Sequence, residues 1–127
     1  MGKEKFSLNK RIRSFKYAIN GIKILFREEP NAKIHLLATI CVLIAGFAFR
    51  ISRGEWIAVI LCIGLVTALE SLNSAIENIA DFVSPGKHDI IKKVKDLAAG
   101  AVLIGAIASA VVGMIVFLPK IIEIFTR

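Results

Sequence analysis

Charge is missing from long stretches of this sequence. Leu97–Leu118 runs for 22 residues without an Asp, Glu, Lys or Arg, and at ~1.5 Å per residue it reaches roughly 33 Å as a helix, enough to cross a hydrocarbon core of about 30 Å. Polar surface is scarce throughout. Of 127 residues, 56% are hydrophobic and 21% charged, with a mean hydropathy of +0.70. That balance excludes a small soluble domain, which could not hide so much apolar surface. Cysteine is limited to Cys41 and Cys62, each near the middle of an apolar run, so neither a disulfide nor a metal site is expected at them. The G-x-x-x-x-G-K-[ST] phosphate loop is absent, since Gly86-Lys87 lacks the flanking pattern. No nucleic-acid module or aromatic platform accompanies the net charge of +7, which argues against a nucleic-acid partner. Met1–Lys16 is polar and basic before any long apolar run and does not look like a cleaved secretory signal.

What is present is an all-α membrane protein in a single domain, 1–127. The apolar blocks are Ile34–Phe49, Trp56–Leu69 and Leu97–Leu118. They place a surface helix in 1–29, a first span in 31–51, a second in 56–82, and a cytoplasmic extension with the third span in 88–119. Ile34–Phe49 is the short block, and it spans only if Asn31–Lys33 or Arg50–Ser52 snorkel at its ends; the alternative is a re-entrant or buried helix. Lys and Arg number nine in residues 1–33 and four in residues 81–96, against four elsewhere. The positive-inside rule therefore puts the N-terminus in the cytoplasm and, after three spans, the C-terminus outside.

The N-terminal segment has two faces. Ile12, Phe15, Ile19, Ile22 and Phe26 recur at helical spacing, while Arg13, Lys16, Asn20, Lys23 and Arg27 follow one residue later. This describes a basic amphipathic helix lying on the inner membrane surface. It ends near Pro30, because a residue before proline is pushed out of helical geometry. Glu28 and Glu29 come directly before that stop.

The second span carries the main anomaly. Glu70, Asn73, Glu77 and Asp81 are spaced 3, 4 and 4 residues apart, so a helix sets them on one face. A charge at a bilayer centre costs ~2.5–3.5 kcal/mol even on lenient scales, so such a carboxylate is read as functional. If Trp56 marks the outer interface, Glu70 lies about 21 Å further in, at the inner edge of the hydrocarbon. Glu77 lies another ~10 Å along, in cytoplasmic water. A carboxylate at the first depth can orient or deprotonate a lipid hydroxyl, and acids at the second suit Mg²⁺ with phosphate oxygens; Glu29 is the other candidate ligand.

The following loop, Ser84 to Asp96, offers Lys87, His88, Lys92, Lys93 and Lys95 as phosphate clamps. Lys92 and Lys93 are better read as membrane-anchoring charges. Lys95 and Asp96 stand at the mouth of the third span, where a soluble phosphate donor would meet the membrane. His35 reads as a helix-end residue without a role. Ala101, Gly105, Ser109 and Gly113, at four-residue intervals, form a helix-packing seam within or between protomers.

Taken in order, Glu70-Ser-Leu-Asn73-Ser-Ala-Ile-Glu77 with Asp81, then His88 and Lys95-Asp96-Leu-Ala-Ala-Gly, preceded by Gly21 and Glu29, resemble the prokaryotic diacylglycerol kinase family, which includes the undecaprenol kinases. The resemblance spans nearly the whole chain. It implies a homotrimer with three spans and one surface helix per subunit, and active sites shared between neighbours. It implies that Glu70 is the general base on the lipid hydroxyl, with Asn73 beside it and Ala99 among the lipid contacts. Glu29 and Glu77 would bind the divalent metal that bridges the ATP phosphates. Tyr17, Gly86, Lys87, His88, Lys95 and Asp96 would contact the nucleotide; the Arg often found at the first such contact corresponds here to Lys10, with Arg11 adjacent. Ser14-Phe15-Lys16-Tyr17-Ala18, Glu55-Trp56 and Val116-Phe117-Leu118-Pro119-Lys120 look more like the undecaprenol kinase branch.

The expectation is a lipid kinase of the bacterial inner membrane that uses ATP and Mg²⁺ on a primary hydroxyl of diacylglycerol or undecaprenol. The competing class is a non-enzymatic membrane oligomer or transporter subunit in which Glu70 relays ions or protons.

Overall fold

The computed structural model describes residues 7–127, and its regular structure there is entirely helical. Helix α1 spans Leu8–Glu28, α2 Pro30–Ala48, α3 Arg53–Val83 and α4 Asp89–Thr126. The last three are long and apolar enough to cross a membrane. The protein is a multi-pass membrane protein.

The joints between helices follow from local chemistry. The Ser7 hydroxyl accepts from the Lys10 backbone N–H and caps α1. A single extended residue, Glu29 (φ −102°, ψ 112°), separates α1 from α2, and Pro30 opens α2. Proline suits that first position, where its missing N–H costs no hydrogen bond. Helix α2 ends at Ala48, short of the 51 read from sequence. There Arg50 takes a left-handed φ of 52°, the Ile51 N–H bonds back to the Gly46 carbonyl at 3.1 Å, and the Arg50 N–H to that of Phe47 at 3.3 Å. This is a Schellman closure with Arg where glycine is usual. Ser52 and Glu55 then form a reciprocal capping box at the start of α3. At the other end, His88 Nδ1 accepts from the Ile90 N–H at 3.1 Å and caps α4. Helix α4 continues through Pro119 to Thr126, beyond the 119 set from sequence. A proline frees one carbonyl and bends a helix, and neighbouring groups can absorb that without ending it.

Antiparallel packing of α3 on α4 is the backbone of the fold. Asp81 pairs with Lys95, Gly105 lies against Leu69, Val59 and Val116 share one apolar cluster, and Glu55 meets Lys120 at 3.2 Å. The packing seam falls within the protomer at Gly105. A Cβ there would stand 2.7 Å from Leu69 Cδ1, so a larger residue at this close approach would have to displace that leucine tip. The described core is small: Leu25, Ala32, Ile51, Val59, Val66, Ala80, Ala98 and Val116 are its buried hydrophobic members. Large side chains such as Leu61, Leu72, Ile79, Leu103, Ile104 and Ile115 point outward, as lipid-facing or subunit-facing residues do.

Candidate active site

The polar stripe of α3 is where the four helices meet. Glu70 is 4% exposed and is the buried charged residue among those described. Its Oε1 stands 3.2 Å from His35 Nε2 on α2. This corrects the sequence reading of His35: it lies inside α2, not at its end, and it faces the buried carboxylate. One helical turn after Glu70, the Ser74 hydroxyl donates to Glu29 Oε1, which fastens the α1–α2 joint to α3. Asn73 Nδ2 donates to Glu77 Oε1 at 3.4 Å, while Asn73 Oδ1 is buried without a partner. An orphaned buried acceptor is uncommon in a finished structure and fits a site that a ligand completes. Outward from His35 runs a narrow apolar cleft of about 130 Å³ between α2, α3 and α4, with Thr39, Val66 and Ser109 in its lining.

A second group gathers where α3 gives way to α4. Asp81, Gly86, Lys87, His88, Lys95 and Asp96 line an open hollow of about 630 Å³. Lys95 is ion-paired with Asp81, and Lys92 Nζ is 2.6 Å from Asp96 Oδ2. Both lysines precede the uncharged run that begins at Leu97, and the hydrogen bond to the partner carboxylate holds each ammonium above its usual pKa. Lys87, Lys92 and Lys95 share the lining of the hollow with Asp81, Asp89 and Asp96, so its formal charges balance and it offers both donors and acceptors to a polar ligand. Lys92, read from sequence as an anchoring charge, also positions Asp96.

The remaining predicted contacts lie apart. Lys10 and Tyr17 line a hollow on α1 together with Arg11, Arg13 and Ser14, and a single chain does not merge it with the Gly86–Asp96 hollow. Ala99 is exposed on α4, one turn beyond Lys95. No three His, Cys, Asp or Glu side chains converge as a metal cage among the described residues. Glu29 and Glu77 instead flank Ser74 and Asn73, an arrangement of two carboxylates that fits a divalent ion arriving with phosphate and water ligands.

Sequence reasoning missed Ser74 and the contact of His35 with Glu70. A four-residue step from Glu70 would have found Ser74. The signal for His35 was an ionisable ring within six residues of Glu29, inside an apolar run.

Residues 16–117 match the family described as prokaryotic diacylglycerol kinase. The chain belongs to that family. Among its relatives, the undecaprenol kinase of Bacillus subtilis is 41% identical over 114 residues, covering 90% of this chain and 93% of its own. The diacylglycerol kinase of Synechocystis is 35% identical over 112 residues, 87% of this chain and 64% of that one. The diacylglycerol kinase of Haemophilus influenzae is 35% identical over 105 residues, 82% and 86% of the two chains. Membership makes this protein a lipid kinase, and a transporter subunit built around Glu70 is set aside. The prokaryotic diacylglycerol kinase match contains every predicted site residue except Lys10.

Proposed function

We propose that this protein is an ATP- and Mg²⁺-dependent kinase of the bacterial cytoplasmic membrane that phosphorylates the primary hydroxyl of a membrane lipid. The observation that carries this reading is the setting of Glu70: a buried carboxylate on an apolar helix, with a polar cluster one turn away and a hollow lined by charged side chains beyond it. The lipid hydroxyl oxygen attacks the γ-phosphorus of ATP. Its proton passes to Glu70, and the bond from the γ-phosphorus to the bridging oxygen breaks to release ADP. Glu29 and Glu77 would hold the divalent ion that accompanies the nucleotide, whose chemistry is charge neutralisation at the phosphate oxygens. Asn73 meets the lipid headgroup with its unpaired Oδ1, and Gly86, Lys87, His88, Lys95 and Asp96 receive the nucleotide. Catalysis of this kind is mostly positioning and charge stabilisation.

The acceptor is a polyprenol or a diacylglycerol, which carry a primary hydroxyl at the same depth. Identity across nearly the full length of both chains favours the polyprenol. In this reading α1 lies on the inner membrane surface, the N-terminus is cytoplasmic and the C-terminus outside, as the basic residues of 1–33 and 81–96 require. The functional unit is a homotrimer with shared sites, in which the Lys10–Tyr17 hollow of one subunit faces the nucleotide hollow of a neighbour. Its support is the separation of the two hollows within one chain. The test is transfer from γ-labelled ATP in mixed micelles, with and without Mg²⁺, to undecaprenol, diacylglycerol and ceramide. Labelled lipid phosphate from one of the first two is the expected result, and ATP-independent ion flux in liposomes with no labelled lipid would overturn it.

A further inference from the structure

His35 is the polar side chain of α2 that reaches the buried stripe of α3, and the mechanism above leaves it unused. Its Nε2 stands 3.2 Å from Glu70 Oε1, with side-chain exposures of 30% for the ring and 5% for the carboxylate. No other described side chain is ion-paired or hydrogen-bonded to Glu70. The backbone that carries the ring is itself pinned, because Thr39 Oγ1 donates to the His35 carbonyl at 2.8 Å.

We propose that His35 is a positioning residue for Glu70, whose Nε2–H engages Oε1 and leaves Oε2 to take the proton of the lipid hydroxyl. The proposal rests on the reading of Glu70 as general base. A carboxylate on a flexible stem has a broad, nearly two-fold terminal torsion, so without a donor its two oxygens exchange freely. A hydrogen bond to one oxygen ends that degeneracy. It also partners a charge that α3 alone would bury uncompensated at the edge of the hydrocarbon. The ring is also one of the side chains that line the apolar cleft between α2, α3 and α4, so it borders both the carboxylate and an apolar space of the kind a hydrocarbon chain would enter.

The experiment compares His35→Leu, His35→Gln and His35→Asn in the full-length protein in mixed micelles, reading kcat and the KM for MgATP separately, with Tm as a check on folding. The Gln amide nitrogen reaches the place of Nε2, whereas the Asn amide nitrogen reaches only that of Nδ1. The expected result is a fall in kcat of roughly 10- to 100-fold for His35→Leu, the scale of a misplaced catalytic group, with the KM for MgATP unchanged. His35→Gln recovers most of the rate and His35→Asn does not. Wild-type kcat in His35→Leu, or Gln and Asn variants equally impaired, overturns the proposal. Where Leu lowers Tm, the Gln and Asn pair decides, because the two differ in reach and not in chemistry. A Glu70→Gln control separates the two readings. If it is inactive while His35→Leu is fully active, only the role of His35 falls; if it is fully active, the general base falls and this proposal with it.

Discussion

The two ends of the helical bundle are built from the same helices to opposite rules. At the Trp56 end every device is a structural closure. The Schellman turn through Arg50 runs into the Ser52–Glu55 capping box, Lys120 comes over to Glu55, and Ile51, Val59 and Val116 form a cluster backed by Phe49, Trp56 and Phe117. Phe47 and Trp56 stack at 4.9 Å and Phe49 with Phe117 at 6.1 Å, both within the range of favourable ring pairs. At the Glu29 end the same helices present a buried carboxylate, an acceptor without a partner and an open hollow lined by charged side chains. Native sequences keep such costly groups where function requires them. The contrast marks the Glu29 end as the candidate working end without reference to any relative.

Mutations at the two ends should therefore separate cleanly into effects on chemistry and effects on stability. The largest is expected from Glu70→Gln, which keeps the shape and the contact with His35 but removes the base. Turnover should fall by about 10²–10⁴-fold, the usual contribution of a positioned acid or base, with ATP binding by calorimetry unchanged. A purified mutant with a substantial share of wild-type turnover removes Glu70 from the mechanism. Next, Glu77→Gln should raise the Mg²⁺ concentration for half-maximal activity by roughly 10-fold, in the range seen when one group supporting a metal is lost. An unchanged Mg²⁺ titration would count against the ligand role.

At the closed end the readout moves to melting in micelles. A Cβ on Gly46 would stand 2.6 Å from Trp56 Cη2, and an indole ring packed in a cluster cannot yield as a leucine tip can. Gly46→Val should cost about 1–3 kcal/mol, typical of overpacking, while kcat per folded enzyme stays the same. A drop in kcat with no change in Tm would show that the closed end takes part in the chemistry. The smallest effect is expected from Ser52→Ala, which removes the cap of α3 and should cost about 1 kcal/mol, again in Tm alone. Together the four variants test whether the working end and the closed end are as independent as their construction implies.

Much of the working end was legible in advance because it is written on one helix. Glu70, Asn73, Glu77 and Asp81 needed only the helical period to be placed on one stripe, and the structure confirms that stripe as the surface that α1, α2 and α4 meet. The partners of that stripe were harder to read. His35 was read as a helix-end residue, Ser74 is not one of the four residues of the stripe, and Lys92 was read as an anchoring charge under the positive-inside rule. Helix ends misled where a turn obeyed tertiary closure, as at Arg50, or where a proline did not end the helix, as at Pro119.

The chain's own order of residues determined that three segments are long and apolar enough to cross a bilayer and which residues share the polar face of α3. Those properties depend on composition and on the period of a helix, and both are local. Only the tertiary structure decided that the stripe's carboxylate meets an imidazole from α2, that Glu29 is tied to Ser74, and that Lys10 and Tyr17 stay apart from the Gly86–Asp96 hollow of their own chain. Each of these is a meeting of residues distant along the chain, set by how closely glycine and small side chains let helices approach, and no local period encodes that distance.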